Sequence, residues 1–175
     1  MAAAPREDGD AMLKRLFKHL IAPDWWARRV FRAEDLDAIG EAVGRSELRH
    51  RGEIRIAIES TLPLASLLRR ESCRMRASKL FETLGVANTR EASGVLVYIQ
   101  LVERRVEILA DRGIAALIPS DAWEDVCRRM EASFAAGDYR RGVIDAIDRL
   151  TDLLAAHFPA TGDNPNELDN APQML

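Results

Sequence analysis

Three sets of residues have side chains of the right type and spacing for chemistry. Glu59-Ser60 closes an alternating apolar run. Glu91, Ser93 and Asp111 flank a second and third apolar run. Carboxylate and hydroxyl oxygens suit hard cations, which expects Ca²⁺ or Mg²⁺ at Glu91, Ser93 and Asp111 and a ligand at Glu59 and Ser60. A cation held there could orient a phosphate ester and activate water. The third set is cationic and aromatic: Lys14, Arg15, Lys18, Trp25, Trp26, Arg28 and Arg29. Such a set suits an anionic membrane surface or an acidic protein partner.

Other chemistry has no signature here. The chain lacks a P-loop, a dinucleotide fingerprint, a G-x-S-x-G elbow and an H-E-x-x-H pair. His19, His50 and His157 lie in separate segments without metal-ligand spacing. Cys73 and Cys127 form no C-x-x-C pattern and read as reduced, buried small hydrophobes.

The elements that must position these residues follow from periodicity. Leu13, Leu16, Phe17 and Leu20 have helical spacing, and Pro23 stops that helix. Ala33 to His50 reads as a helix with acids in its first turn. Glu53 to Glu59 alternates strictly, with Ile54, Ile56 and Ile58 on one face, as in a half-buried strand. Ser60 to Ser66 reads as a loop, and Glu71 to Leu84 as a helix closed by Gly85. Gly94 to Leu101 is apolar on both faces, which suits a central strand. Arg105 to Asp111 completes an antiparallel hairpin with it, and Gly113 to Pro119 offers a short edge strand. Helices over 120–135 and 138–157 follow, and Pro159 ends the last. The sum is an α/β fold: a three-layer α/β/α sandwich whose small mixed sheet combines a parallel β-α-β unit and an antiparallel hairpin.

Open α/β sheets bind ligands beyond the carboxyl ends of their parallel strands. That rule selects Glu59-Ser60-Thr61 and Leu101 to Arg104. Asp111 ends an antiparallel strand and so falls at the opposite edge, near Glu91 and Ser93. The plainer reading of Asp111-Arg112-Gly113 is a strand-ending turn with a solvated ion pair.

The formal net charge of −3 on 175 residues argues against nucleic-acid coating, and 47% hydrophobic content suits one folded domain. The charge is unevenly spread. Residues 12–32 hold six Lys or Arg against one Asp, and residues 1–11 hold one Arg against three acids. Residues 1–33 therefore read as a basic N-terminal arm, 34–159 as the α/β/α domain and 160–175 as a disordered tail, with residues 1–11 a disordered lead. The arm's alternative to a membrane or partner role is packing of its Leu, Phe and Trp face on the domain. No secretory leader or membrane span is read from the sequence, so a cytoplasmic protein, peripheral at the membrane at most, is expected, and a monomer.

The ordered set Glu53-Ile54-Arg55-Ile56-Ala57-Ile58-Glu59, Ser93-Gly94-Val95-Leu96-Val97-Tyr98, Arg105-Val106-Glu107-Ile108 and Asp111-Arg112-Gly113-Ile114 resembles the TPM domain family. The likeness continues through Trp123-Glu124, Arg129-Met130-Glu131 and Phe134 to Gly142, over roughly residues 35–158. It implies the same α/β/α sandwich, a phosphatase label and a link to divalent cations. Longer members carry Asp-Asn-Gly before the second strand, where this chain has Ala92-Ser93-Gly94 with Glu91 one place earlier. Their Asp-Ser pair after the first strand is matched in type by Glu59-Ser60. Two functions are thus in view: a partner-binding or membrane-associated stress module, and a divalent-cation-dependent phosphatase.

Overall fold

A computed structural model describes residues 7–22, 24–161 and 166–175. Its helices are α1 (Glu7–Ile21), α2 (Asp24–Val30), α3 (Ala33–Glu47), α4 (Leu64–Leu68), α5 (Cys73–Thr83), α6 (Arg112–Ala115), α7 (Ser120–Ala135) and α8 (Tyr139–His157). Its strands are β1 (Glu53–Glu59), β2 (Gly94–Gln100), β3 (Arg105–Ala110) and β4 (Gln173–Met174). They form one sheet in the order β3-β2-β1-β4. β1 and β2 are parallel and joined through α5, β2 and β3 form the antiparallel hairpin, and β4 runs parallel to β1.

The period-2 pattern assigns the two faces. Ile54, Ile56, Ile58, Val95, Val97, Ile99, Val106 and Ile108 point to one side, against α3, α7 and α8. Ala57, Leu96 and Tyr98 point to the other, against Cys73, Ala77 and Leu80 of α5. Both faces are covered, which is why every residue of β1 and β2 is buried. Two glycines permit close backbone approaches. A Cβ on Gly94 would lie 2.0 Å from the Val86 carbonyl oxygen, and one on Gly113 would lie 2.4 Å from that of Glu91.

Complete burial of β1 corrects the half-buried reading. Its polar residues are not solvated; each is matched by a partner brought over that face. The Glu53 carboxylate accepts from the Glu167 and Leu168 amides, at 3.0 and 3.1 Å. The Arg55 guanidinium donates to the Asp169 and Ala171 carbonyls. Residues 166–175 are therefore a structured strap rather than the disordered tail that the composition of 160–175 suggests. The strap ends as β4, with the Leu175 amide on the Ile58 carbonyl at 2.9 Å.

Other expectations shift as well. α1 already begins at Glu7, inside the stretch read as a disordered lead; residues 1–6 and the Pro23 stop lie outside the described residues. The 60–66 loop contains the start of α4, and the segment after Asp111 is the short helix α6 rather than an edge strand.

Candidate functional site

At the carboxyl end of β1 the Glu59 side chain is 3% exposed. Arg76 on α5 meets it with two nitrogens: Nε is 3.1 Å from both carboxylate oxygens and Nη2 is 2.6 Å from Oε1. The Tyr98 hydroxyl, from the neighbouring strand, donates to Oε2 at 2.5 Å. Burial, then the Glu59 charge, pushes the Tyr98 phenol well up, so it stays a donor. Glu59 is thus consumed by internal partners. Ser60 is buried beside it.

The opposite edge does bring Glu91, Ser93 and Asp111 into one neighbourhood. The Asp111 amide donates to the Gly94 carbonyl at 2.8 Å, and the Gly113 amide to the Ala92 carbonyl at 3.0 Å. The two carboxylates have other employment. Glu91 pairs with Arg51 at 2.5 Å, and Asp111 Oδ1 accepts from the Arg112 amide at 2.6 Å as the cap of α6. A cation here would have to draw Glu91 away from Arg51 and Asp111 away from the α6 amide, and take its remaining oxygens from water. Among the described residues no group of three or more His, Cys, Asp or Glu could hold a metal ion.

The carboxyl end of the parallel strands carries a third cluster that the sequence reading located only as the stretch Leu101 to Arg104. Glu103, just past β2, is its hub. Glu103 Oε1 accepts from Arg15 Nε at 2.5 Å, and Oε2 from the Cys73 thiol at 3.0 Å. The His19 ring completes the hub. Its Nδ1 accepts from the Leu62 amide at 3.0 Å, leaving Nε2 to carry the proton and donate to Glu103 at 3.1 Å. Burial alone would raise the Glu103 carboxyl, but hydrogen bonds from His19, Arg15 and Cys73 bring it down to about 2. Burial pushes the Cys73 thiol up, and Glu103 pushes it further, so it stays protonated and unreactive. Arg15 also donates to the Glu71 carbonyl at 2.7 Å.

α1 is therefore latched across this end of the sheet by a polar contact. Glu103→Ala should strand Arg15 and His19 and free the helix, at a cost of ~2 kcal/mol. Amides of residues 12–21 should then exchange roughly thirtyfold faster, with β1 and β2 little changed. Unchanged protection in α1 by native-state hydrogen exchange would contradict the latch.

This latch turns α1 differently from the packing alternative. Arg15, Leu16 and His19 face the domain, while Leu13, Phe17, Leu20 and Ile21 are 62–65% exposed. At 3.6 residues per turn those four span roughly 100° of arc, bordered on one side by Lys14 and Lys18. α2 divides similarly: Trp25 is 59% exposed, whereas Trp26 packs against the main core and Ala27 and Phe31 lie within it. Lys14, Lys18, Arg28 and Arg29 are all exposed. The arm thus docks, as one reading expected, but with only part of its apolar face.

A family described as the TPM domain matches residues 27–153. Among solved structures, the NMR structure of the BA42 protein from the psychrophilic bacterium Bizionia argentinensis is similar, with a TM-score of 0.73 and 28% identity. That match covers 82% of this chain and 94% of the other. No functionally curated protein matches the sequence.

Proposed function

The chain belongs to the TPM domain family, and on that footing we propose that it is a binding module that adsorbs to anionic membrane surfaces through α1 and α2. The observation that carries this reading is the exposed stripe of Leu13, Phe17, Leu20 and Ile21, extended by Trp25 and bordered by Lys14, Lys18, Arg28 and Arg29. An in-plane helix of this kind immerses its apolar face at the acyl boundary and leaves its cations at the headgroups. Each cation near an anionic leaflet contributes about 1 kcal/mol, and each large apolar side chain fully removed from water about 1.5–3 kcal/mol. Among the described residues no helix is long and apolar enough to cross a membrane. In this reading the protein is a cytoplasmic monomer, peripheral and reversible in its attachment.

The divalent-cation phosphatase is the weaker reading. Its candidate ligands Glu59, Glu91 and Asp111 are engaged by Arg76 with Tyr98, by Arg51 and by the α6 amide.

Liposome flotation tests the proposal. The intact protein should float with vesicles containing phosphatidylglycerol and do so less as salt rises, because exposed charges are screened. Phe17→Glu places a charge on the exposed stripe without touching the core and should reduce binding at least about tenfold. Equal recovery of both proteins in the unfloated fraction would overturn the reading.

A further inference from the structure

We propose, resting on the membrane reading above, that the cationic bay between α1 and the start of α5 binds the phosphomonoester headgroup of an anionic lipid. The bay encloses about 620 Å³ and is lined from three elements: α1, the α4–α5 junction and the β2–β3 hairpin. Its charge is unbalanced. The two carboxylates in its wall are committed, Glu103 to Arg15 and His19, and Glu107 to Arg74 at 3.6 Å. Arg105, also in the wall, has Glu131 at 3.6 Å. That leaves Lys14, Lys18 and Arg70 with no ion-pair partner among the described residues.

Arg70 is the informative member. It follows the C-cap of α4 with φ +53°, in the left-handed region. The amides of Arg70 and Glu71 bond back to the Leu67 and Ser66 carbonyls, closing the helix in the way that favours glycine at this position. The chain instead places a guanidinium there, on the wall of the bay. Three uncompensated cations exceed the single charge of a phosphodiester. A phosphomonoester carries up to two charges and three strong acceptor oxygens, which a guanidinium and two ammonium groups can share. The source is the lipid because Lys14 and Lys18 belong both to the bay and to the border of the exposed stripe. A helix immersed along that stripe holds the bay at headgroup depth.

The test compares phosphatidylcholine vesicles doped with phosphatidic acid or with phosphatidylglycerol, matched for surface charge. The intact protein should bind the phosphatidic acid surface about tenfold more tightly. Arg70→Gly should abolish that preference and keep phosphatidylglycerol binding. Its melting temperature should be equal or higher, since glycine suits the left-handed position. Equal wild-type affinity for the two surfaces, or a preference that survives in Arg70→Gly, overturns the headgroup assignment and leaves membrane adsorption standing. No flotation on either surface overturns both. Glycerol 3-phosphate, titrated in solution and followed at the Arg70 and Ser72 amides, should bind far more weakly than the phosphatidic acid surface. Comparable affinity would make the bay a site for a soluble phosphate ester and overturn the lipid assignment.

Discussion

Arg76→Ala should destabilise the domain by ~3–5 kcal/mol, the cost of leaving a buried carboxylate without its ion-pair partner. Glu59 sits at the carboxyl end of β1, nearly sealed, and Arg76 supplies its contacts at 2.6 and 3.1 Å. Without Arg76 only the Tyr98 hydroxyl remains on that carboxylate. The pair itself need not be a net stabiliser, because desolvating two ions offsets much of their attraction. Replacing the whole set together, as Glu59→Met with Arg76→Met and Tyr98→Phe, should therefore recover most of the loss. Urea unfolding of the two variants measures both quantities. The result bears on function directly. A loss below ~1 kcal/mol in Arg76→Ala would mean that Glu59 is in effect solvated. Glu59 would then return as a candidate ligand for a cation or a phosphate ester.

The same residue shows what a sequence can and cannot disclose. The alternation of Glu53 to Glu59 with Ile54, Ile56 and Ile58 identified β1 and its inward face, because period 2 is a local property. It could not say that the polar face is covered too. That cover comes from α5, seventeen residues after Glu59 in the case of Arg76, and from the strap at 166–175, more than a hundred residues away. The strap reads as disordered because it has little of its own to bury; what holds it is the backbone bonding to Glu53 and Arg55, invisible until the chain is folded. The inward face of α1 is hidden in the sequence for a related reason. Leu13, Leu16, Phe17 and Leu20 form a convincing apolar stripe, but the domain end opposite it offers Glu103, so Arg15 and His19 turn inward instead. The cationic residues of the arm were legible from type alone. Arg70 was not, since its left-handed backbone leaves no mark on composition.

Stability should fall between about pH 6.5 and 8, and Glu47→Gln should reduce the fall. Glu47 lies in the last turn of α3, buried, with Oε1 accepting from the Ile54 amide at 2.9 Å. Burial pushes its carboxyl up to about 8, with Glu53 adding to the rise and the Ile54 and Asn170 hydrogen bonds opposing it. A carboxyl raised in the folded state favours the native fold most below its unfolded value near 4.5. That advantage is lost as pH climbs through about 8. His50 works in the other direction. Burial lowers its ring to about 4, with Nδ1 donating to the Gly52 carbonyl and the Ser46 hydroxyl on Nε2. Its contribution is present above 6.5 and is lost as pH falls through about 4. Between about 4.5 and 6.5 the two slopes oppose each other at ~1.4 kcal/mol per pH unit and cancel each other. Above 6.5 His50 no longer opposes the Glu47 slope, which removes ~2 kcal/mol by pH 8, and burial of Glu53 raises that carboxyl and acts in the same direction. Glutamine reproduces the protonated side chain, and its oxygen can still accept from Ile54. The variant should gain on the wild type progressively from pH 4.5, reaching roughly 3–5 kcal/mol at pH 8. Below pH 6.5 it should show the His50 slope without that of Glu47. Denaturant unfolding at half-unit pH steps separates the cases. A constant offset between the two proteins at every pH would mean that the native state already holds Glu47 ionised, against the burial beneath β1.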